Sequence, residues 1–207
     1  MSNLIYDIGA NQGDFTESFL GDETTVISVE PNPVIFKKLQ NRFTDNENVI
    51  TINKAVSSDK GEVEFYVPTL ERKHTISTCS KNWFEGRFKY VFDEGYKTLK
   101  VESVSIDDLI EEYGFPSRIK IDVEGYEYNV IQSLTKKIDD CVISFEWTSE
   151  IIEEARKILL YLDELGYTQF AIMDSDKGDL QQWHAISELY TKNIESYPGG
   201  WGDIFVK

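Results

Sequence analysis

Leu4-Ile5-Tyr6-Asp7-Ile8-Gly9-Ala10-Asn11-Gln12-Gly13 is followed, about twenty residues on, by Val26-Ile27-Ser28-Val29-Glu30. An apolar strand runs into a glycine-bearing turn that opens a helix, and a second β-branched strand ends in an acid. That arrangement grips a nucleoside: glycines let the backbone approach the ligand, and the acid accepts the ribose hydroxyls. The details argue against a dinucleotide. A pyrophosphate needs the middle glycine of G-x-G-x-x-G, where this chain has Asn11 in an Asp-x-Gly-x-x-x-Gly pattern. Asp7 would sit badly beside a phosphate and well beside a cation. S-adenosylmethionine meets both exceptions, since it carries a ribose, a sulfonium and an ammonium but no phosphate.

The bulk numbers bound the partners. The 207 residues make one ordinary domain, and 41% hydrophobic with 28% charged residues is a soluble globular composition. Asp+Glu number 37 against 21 Lys+Arg, a formal charge of −16 that repels phosphate backbones. Nucleic acid is therefore not expected as a substrate, and a neutral sugar is preferred to a sugar phosphate. Basic pairs such as Lys37-Lys38 and Arg156-Lys157 are short and scattered. Cys79 and Cys141 lack metal-ligand spacing, so reduced thiols and a cytoplasmic location are expected. No apolar run or leader suggests membrane insertion. The first strand starts almost at Met1, which reads as a minimal catalytic module. Excision from a longer polypeptide, or fusion to or association with glycan-synthesis domains, is the open alternative.

Along the chain, strands are expected at 4–6, 24–30, 49–53, 61–67, 99–104, 118–122, 141–146, 167–173 and 203–206. Helices are expected at 14–20, from the Pro31-Asn32-Pro33 corner through Phe43, at 105–113, 126–134 and 150–165. The alternation predicts an α/β domain over 1–207: a mostly parallel sheet covered by helices on both faces, with an antiparallel strand near the end. Asp174-Ser175-Asp176-Lys177-Gly178 resembles a calcium loop only in composition and reads as a turn. Residues 68–98 are the least regular. They hold His74-Thr75-Ile76-Ser77-Thr78-Cys79-Ser80 and the aromatic group Trp83, Phe84, Phe88, Tyr90 and Phe92. A connection this long reads as an acceptor-binding loop, with an amphipathic helix packed on the sheet as the equal alternative. His74 and Trp83 are its candidate acceptor contacts. His184, beside Trp183, reads as structural.

Several blocks occur in a recognisable order: IYDIGANQGDFT, VISVEPNP, NKAVSSDKGEVEFYV, VESVSIDDLI, IKIDVEGYEYNVIQSL and ISFEW. Together they resemble the FkbM-type S-adenosylmethionine-dependent methyltransferases over most of 4–147. The resemblance implies the Rossmann-like class I methyltransferase fold, a seven-stranded sheet with a reversed terminal strand. It also implies O-methylation of hydroxyls on sugars, glycolipids or polyketides. HTISTCS departs from the polar Asn/Gly/Ser-rich stretch usual in the family, at the loop expected to face the acceptor.

The candidate cofactor-binding residues are then Asp7, Gly9, Ala10, Asn11 and Gly13 from the first turn, with Glu30, Pro31 and Asn32 from the second. Ala55 and Asp122 complete the set. Methyl transfer to a hydroxyl needs alignment, exclusion of water, and a general base or metal to take the proton. Asp122 or Glu124 is the candidate base, with His74 from the loop. Alternatively Asp122 and Glu146 hold Mg²⁺ or Mn²⁺ through oxygen ligands. Lys120 lies on the same strand face as Asp122, so an ion pair there is the bland account. The leading expectation is O-methylation of a carbohydrate. Another hydroxylated metabolite (polyketide or lipid), or a non-catalytic nucleoside-binding module, is the alternative; a dehydrogenase is disfavoured by Asn11 and by the lack of a Tyr-x-x-x-Lys pair.

Overall fold

The computed structural model describes residues 3–21, 23–86, 88–148, 152–174, 180, 182–186 and 201–207. Four β-branched or apolar segments pair in parallel at its centre: β1 (Asn3–Ile8), β2 (Thr24–Val29), β3 (Val49–Ile52) and β7 (Arg118–Ile121). Beyond β7, β8 (Val142–Thr148) continues the parallel run. β11 (Trp201–Val206) enters antiparallel between β8 and β9 (Gln169–Asp174). β10 (His184–Ala185) adds a short antiparallel edge, so the order is β10-β9-β11-β8-β7-β1-β2-β3 in an eight-stranded sheet. The seven expected strands are present, with the reversed one where the sequence places it. The eighth is the two-residue strand in which His184 packs against Phe170 with ring centroids 5.7 Å apart.

The strand at 61–67 and the strand at 99–104 do not join this sheet. β5 (Gly61–Pro68) and β6 (Tyr96–Val104) form an antiparallel pair, and β4 (Ala55–Val56) adds parallel to β6. Hydrophobic alternation reveals a strand but not its partner.

Helices follow their local signals. Gly13, at φ 92°, precedes α1 (Asp14–Phe19). Asn32 caps α2 (Pro33–Arg42), its Oδ1 accepting from the Val34 and Ile35 N–H groups, with Pro33 at the first turn. Ser105 and Asp108 close a reciprocal capping box on α5 (Ile106–Tyr113). α6 (Glu127–Ile131) follows β7, and α7 (Ile152–Glu164) buries Ala155, Ile158, Leu159 and Leu162 on the sheet. Ile151 and residues 175–178 of the calcium-like segment lie outside the described residues. None of the described helices is long and apolar enough to cross a membrane.

The described part of 69–95 forms three short helical elements. A 3₁₀ turn (Glu71–Ile76), α3 (Lys81–Glu85) and α4 (Lys89–Phe92) pack over β5. Trp83 is 3% exposed and clusters with Tyr66, Val91 and Phe92. The expectation that Trp83 walls the acceptor site is corrected: its ring lies against Gly125, where an added Cβ would sit 2.4 Å from it. Trp83 and Phe92, with Phe88 packed against them, form a satellite core that covers the β5–β6 pair, while Tyr90 is exposed.

Candidate functional site

Strand order reverses at β1, whose neighbours are β2 on one side and β7 on the other. In open α/β sheets a ligand sits beyond the carboxyl ends of the strands at that point. A cleft with about 630 Å³ of empty space, partly open to solvent, lies there. It is lined by Gly9 and Asn11 after β1, Glu30 and Pro31 after β2, and Ala55 after β3. His74 from the loop and Asp122 and Glu124 after β7 close it.

Glu30 is its best-positioned side chain. Oε2 accepts the Asn11 N–H at 3.0 Å and Oε1 the Asn32 N–H at 2.7 Å, so the carboxylate ties the first turn to the second. Each oxygen keeps acceptor capacity, and two hydroxyls of a diol can use it. Burial pushes the Glu30 carboxyl up to about 7, against the two backbone donors. Asn11 adopts φ 50°, and its Oδ1 is buried with no partner. Gly9, at φ 79°, passes so close to β7 that a Cβ would lie 1.8 Å from the Asp122 carbonyl oxygen. These are signs of a cradle built for a ligand: a half-used carboxylate and backbone brought close at a glycine. Ile35, Val56 and Phe65 supply the apolar part of the lining.

Other expected contacts fall behind this wall. Asp7 is fully buried and does not reach the cleft. Its register partner across β1 and β7 is Lys120, whose Nζ lies 3.8 Å from Oδ1, while Oδ2 accepts the Thr16 hydroxyl at 2.7 Å. The cation beside Asp7 is thus internal. Ala10 is packed with Leu39 and Phe43, and Gly13 is needed because a Cβ would meet the Phe43 ring at 2.4 Å. Asn32 faces inward, donating to Ser77 Oγ at 3.2 Å and so tethering the loop to the second turn. Asp7, Ala10, Gly13 and Asn32 shape the cleft without lining it.

Asp122 lines the cleft with Lys120 Nζ on its Oδ2 at 3.0 Å. Burial works to lower the Lys120 ammonium, but the charges of Asp122 and Asp7 outweigh it and hold it above its ordinary value. Glu124 stands at φ 56° in a left-handed turn continued by Gly125 at φ 85°. Glu127 holds that turn, its Oε1 accepting the Val123 and Gly125 N–H groups at 3.1 and 3.2 Å. His74 is half-buried in the cleft wall with Nδ1 sealed from solvent and unpartnered. Glu146, paired across β8 and β11 with Asp203, is not part of the lining. No group of three or more His, Cys, Asp or Glu able to hold a metal forms among the described residues. The Asp122–Glu146 metal pair therefore does not fit: one carboxylate is in the cleft bonded to a lysine, and the other is outside it.

The Methyltransferase FkbM domain profile matches residues 7–168. The chain belongs to the FkbM methyltransferase family. A curated relative, the hexuronic acid methyltransferase AglP of Haloferax volcanii, is 28% identical over 141 residues, covering 66% of this chain and 52% of that protein. The chain thus spans about half the length of the curated relative it matches. Among solved structures, the precorrin-6y C5,15-methyltransferase of Geobacter metallireducens is similar over 100% of this chain and 79% of its own, at a TM-score of 0.50 and 11% identity. The TehB-like SAM-dependent methyltransferase of Corynebacterium glutamicum gives 0.50 at 10% identity, over 100% and 80%. These likenesses show the class I methyltransferase fold.

Sequence reading missed several residues of this FkbM-family cleft. Lys54, Ser77 and Cys79 line it and sit inside segments already singled out, beside Ala55 and His74. Tyr126 and Glu127 gave no signal, because their places depend on the turn at 124–125. Burial pushes the Glu127 carboxyl up to about 7 from 4.5. Below 4.5 the acid is neutral in both states; between 4.5 and about 7 the unfolded chain alone ionises and stability falls, and above 7 both states are ionised and the loss is complete. Gln at this position keeps an acceptor for both N–H groups without that loss. In urea titrations of Glu127→Gln against the parent, the variant should gain on the order of 2–3 kcal/mol between pH 5 and pH 8. A pH-independent difference would contradict this assignment.

Proposed function

We propose that the domain transfers a methyl group from S-adenosylmethionine to a hydroxyl of a carbohydrate. The observation that carries this reading is Glu30, half-satisfied by the two turns and open to the cleft on its remaining lone pairs. The cofactor, when bound, supplies an electrophilic methyl on a sulfonium. The chain's residues do the rest. Glu30 takes the ribose diol, the Gly9 backbone meets the amino-acid portion, and Ala55, Val56 and Phe65 flank the base. Glu30, Asp122 and Glu124 give the cleft an acidic lining suited to a sulfonium and an ammonium. The Haloferax relative, a hexuronic acid methyltransferase, supports a carbohydrate acceptor.

The acceptor proton has two open destinations. Asp122 is the poorer base, because Lys120 holds its carboxylate in an ion pair. His74 is the better one: with Nδ1 sealed away, Nε2 is the ring nitrogen an incoming hydroxyl meets. Glu124 stands opposite as the second acid of the wall. We expect the transfer to proceed without a divalent metal. The test is incubation with methyl-labelled S-adenosylmethionine and a panel of sugars, read by mass spectrometry with and without EDTA. Labelled sugar formed equally in chelator supports the reading; loss of product restored by Mg²⁺ or Mn²⁺ returns the metal account. His74→Gln should lower turnover about 10²–10⁴-fold, with S-adenosylhomocysteine affinity intact. Unchanged turnover would remove His74 as the base.

A further inference from the structure

A second, open groove adjoins the cofactor cleft and shares two residues with it, Cys79 and Tyr126. These residues line both cavities, so a ligand in the groove lies beside one in the cleft. Burial pushes the Cys79 thiol up to about 12, which leaves it a neutral, unreactive spacer. Tyr126 is fixed by its hydroxyl, 3.1 Å from Ser57 Oγ. The groove floor is polar. Tyr66 donates to Glu64 at 2.6 Å, and Lys81 lies 3.4 Å from the same carboxylate. Asn82 and Asn129 add amides, which donate and accept at once.

The charge of this groove is one-sided. Asp59, Glu62, Glu64 and Glu154 line it, and Lys81 is its cation. Lys81 is spent on Glu64, and Glu62 has Lys100 at 3.7 Å. Among the described residues neither Asp59 nor Glu154 forms a close ion pair; burial raises the Glu154 carboxyl, and the nearby Lys157 charge offsets part of that. Glu154 comes from α7, from the far side of the main sheet's chain order, so the groove is assembled by three separate parts of the fold. A ligand there meets hydroxyl, amide and carboxylate acceptors and a net negative field, which opposes a carboxylate or phosphate and favours an ammonium.

We propose that this groove is the acceptor subsite and that it takes a sugar bearing hydroxyls and an ammonium group, with an uncharged sugar weaker and a uronate excluded. The inference rests on the methyl-transfer reading and gives it an acceptor class. In this geometry the acceptor hydroxyl reaches the cofactor past Cys79 and Tyr126, while Asn82, Asn129 and Glu154 hold the ring.

The test is amide-resolved NMR titration of the protein, saturated with S-adenosylhomocysteine, by methyl glucosaminide, methyl glucoside and methyl glucuronide in turn. The glucosaminide should shift the resonances of Asn82, Asn129 and Glu154, with the glucoside at least threefold weaker and the glucuronide without effect. Glu154→Gln should lower glucosaminide affinity at least threefold while leaving S-adenosylhomocysteine binding by calorimetry unchanged, which also shows that the variant is folded. Tighter binding of the glucuronide, or shifts confined to the cofactor cleft, would overturn the proposal. Should S-adenosylhomocysteine itself fail to bind, the methyl-transfer reading fails, and the sugar titrations of the protein alone still decide whether the groove holds an amino sugar.

Discussion

Gly9→Ala is expected to destabilise the domain by about 3 kcal/mol or more and to abolish S-adenosylhomocysteine binding. Two independent costs combine. The backbone stands at φ 79°, where a Cβ meets its own carbonyl, and the added carbon would lie 1.8 Å from the Asp122 carbonyl oxygen and 2.8 Å from its carbon. Neither neighbour is a flexible side chain. Relief requires β1 and β7 to separate at the ends where Asp122 N–H donates to Ile8 C=O at 3.0 Å. That movement opens the floor of the cleft, so stability and ligand affinity fall together. Urea unfolding and calorimetry on the same variant check both; a parent-like unfolding midpoint would show that the turn tolerates a side chain.

Trp83→Ala should cost about 3–5 kcal/mol, the range for deleting a buried aromatic. Its ring is nearly inaccessible and packs on Gly125, Tyr66, Val91 and Phe92. Because this cluster lies on the second sheet, away from the main core, the loss is expected first as local opening of residues 69–95. Amide hydrogen exchange should rise there before it rises in β1 or β7. His74 and Cys79 sit on the same excursion, so acceptor kinetics would suffer only as a consequence. Turnover lost in a variant of parental stability and unchanged exchange would return Trp83 to the acceptor wall.

What the sequence made legible was local. The strand, the glycine turn and an acid at the right separation placed Gly9, Asn11 and Glu30 around one cleft, and the Pro31-Asn32-Pro33 corner and Ser105 marked two helix starts. What it hid depends on pairings distant in the chain. The Asp7 side chain faces Lys120 only because β1 and β7 pair in that register, across more than a hundred intervening residues; read alone, Asp7 looked like a ligand contact. Trp83 meets Gly125 in the same way. An aromatic-rich connection looks alike whether its rings cover a sugar or a second small sheet, and the β5–β6 pairing that decides the matter leaves no periodic trace. Glu127 was silent because a helix-start glutamate is common, and its role arises only once Glu124 and Gly125 turn left-handed.

The central claim is that the cleft beyond β1, β2 and β7 holds S-adenosylmethionine by its ribose through Glu30. Calorimetric titration of S-adenosylhomocysteine into the parent and into Glu30→Ala measures this most directly. The account predicts a saturable one-site isotherm for the parent and an affinity loss of about 1.5–3 kcal/mol in the variant, the worth of hydrogen bonds to a charged partner. No binding by the parent, or equal affinity in a folded variant, would contradict it.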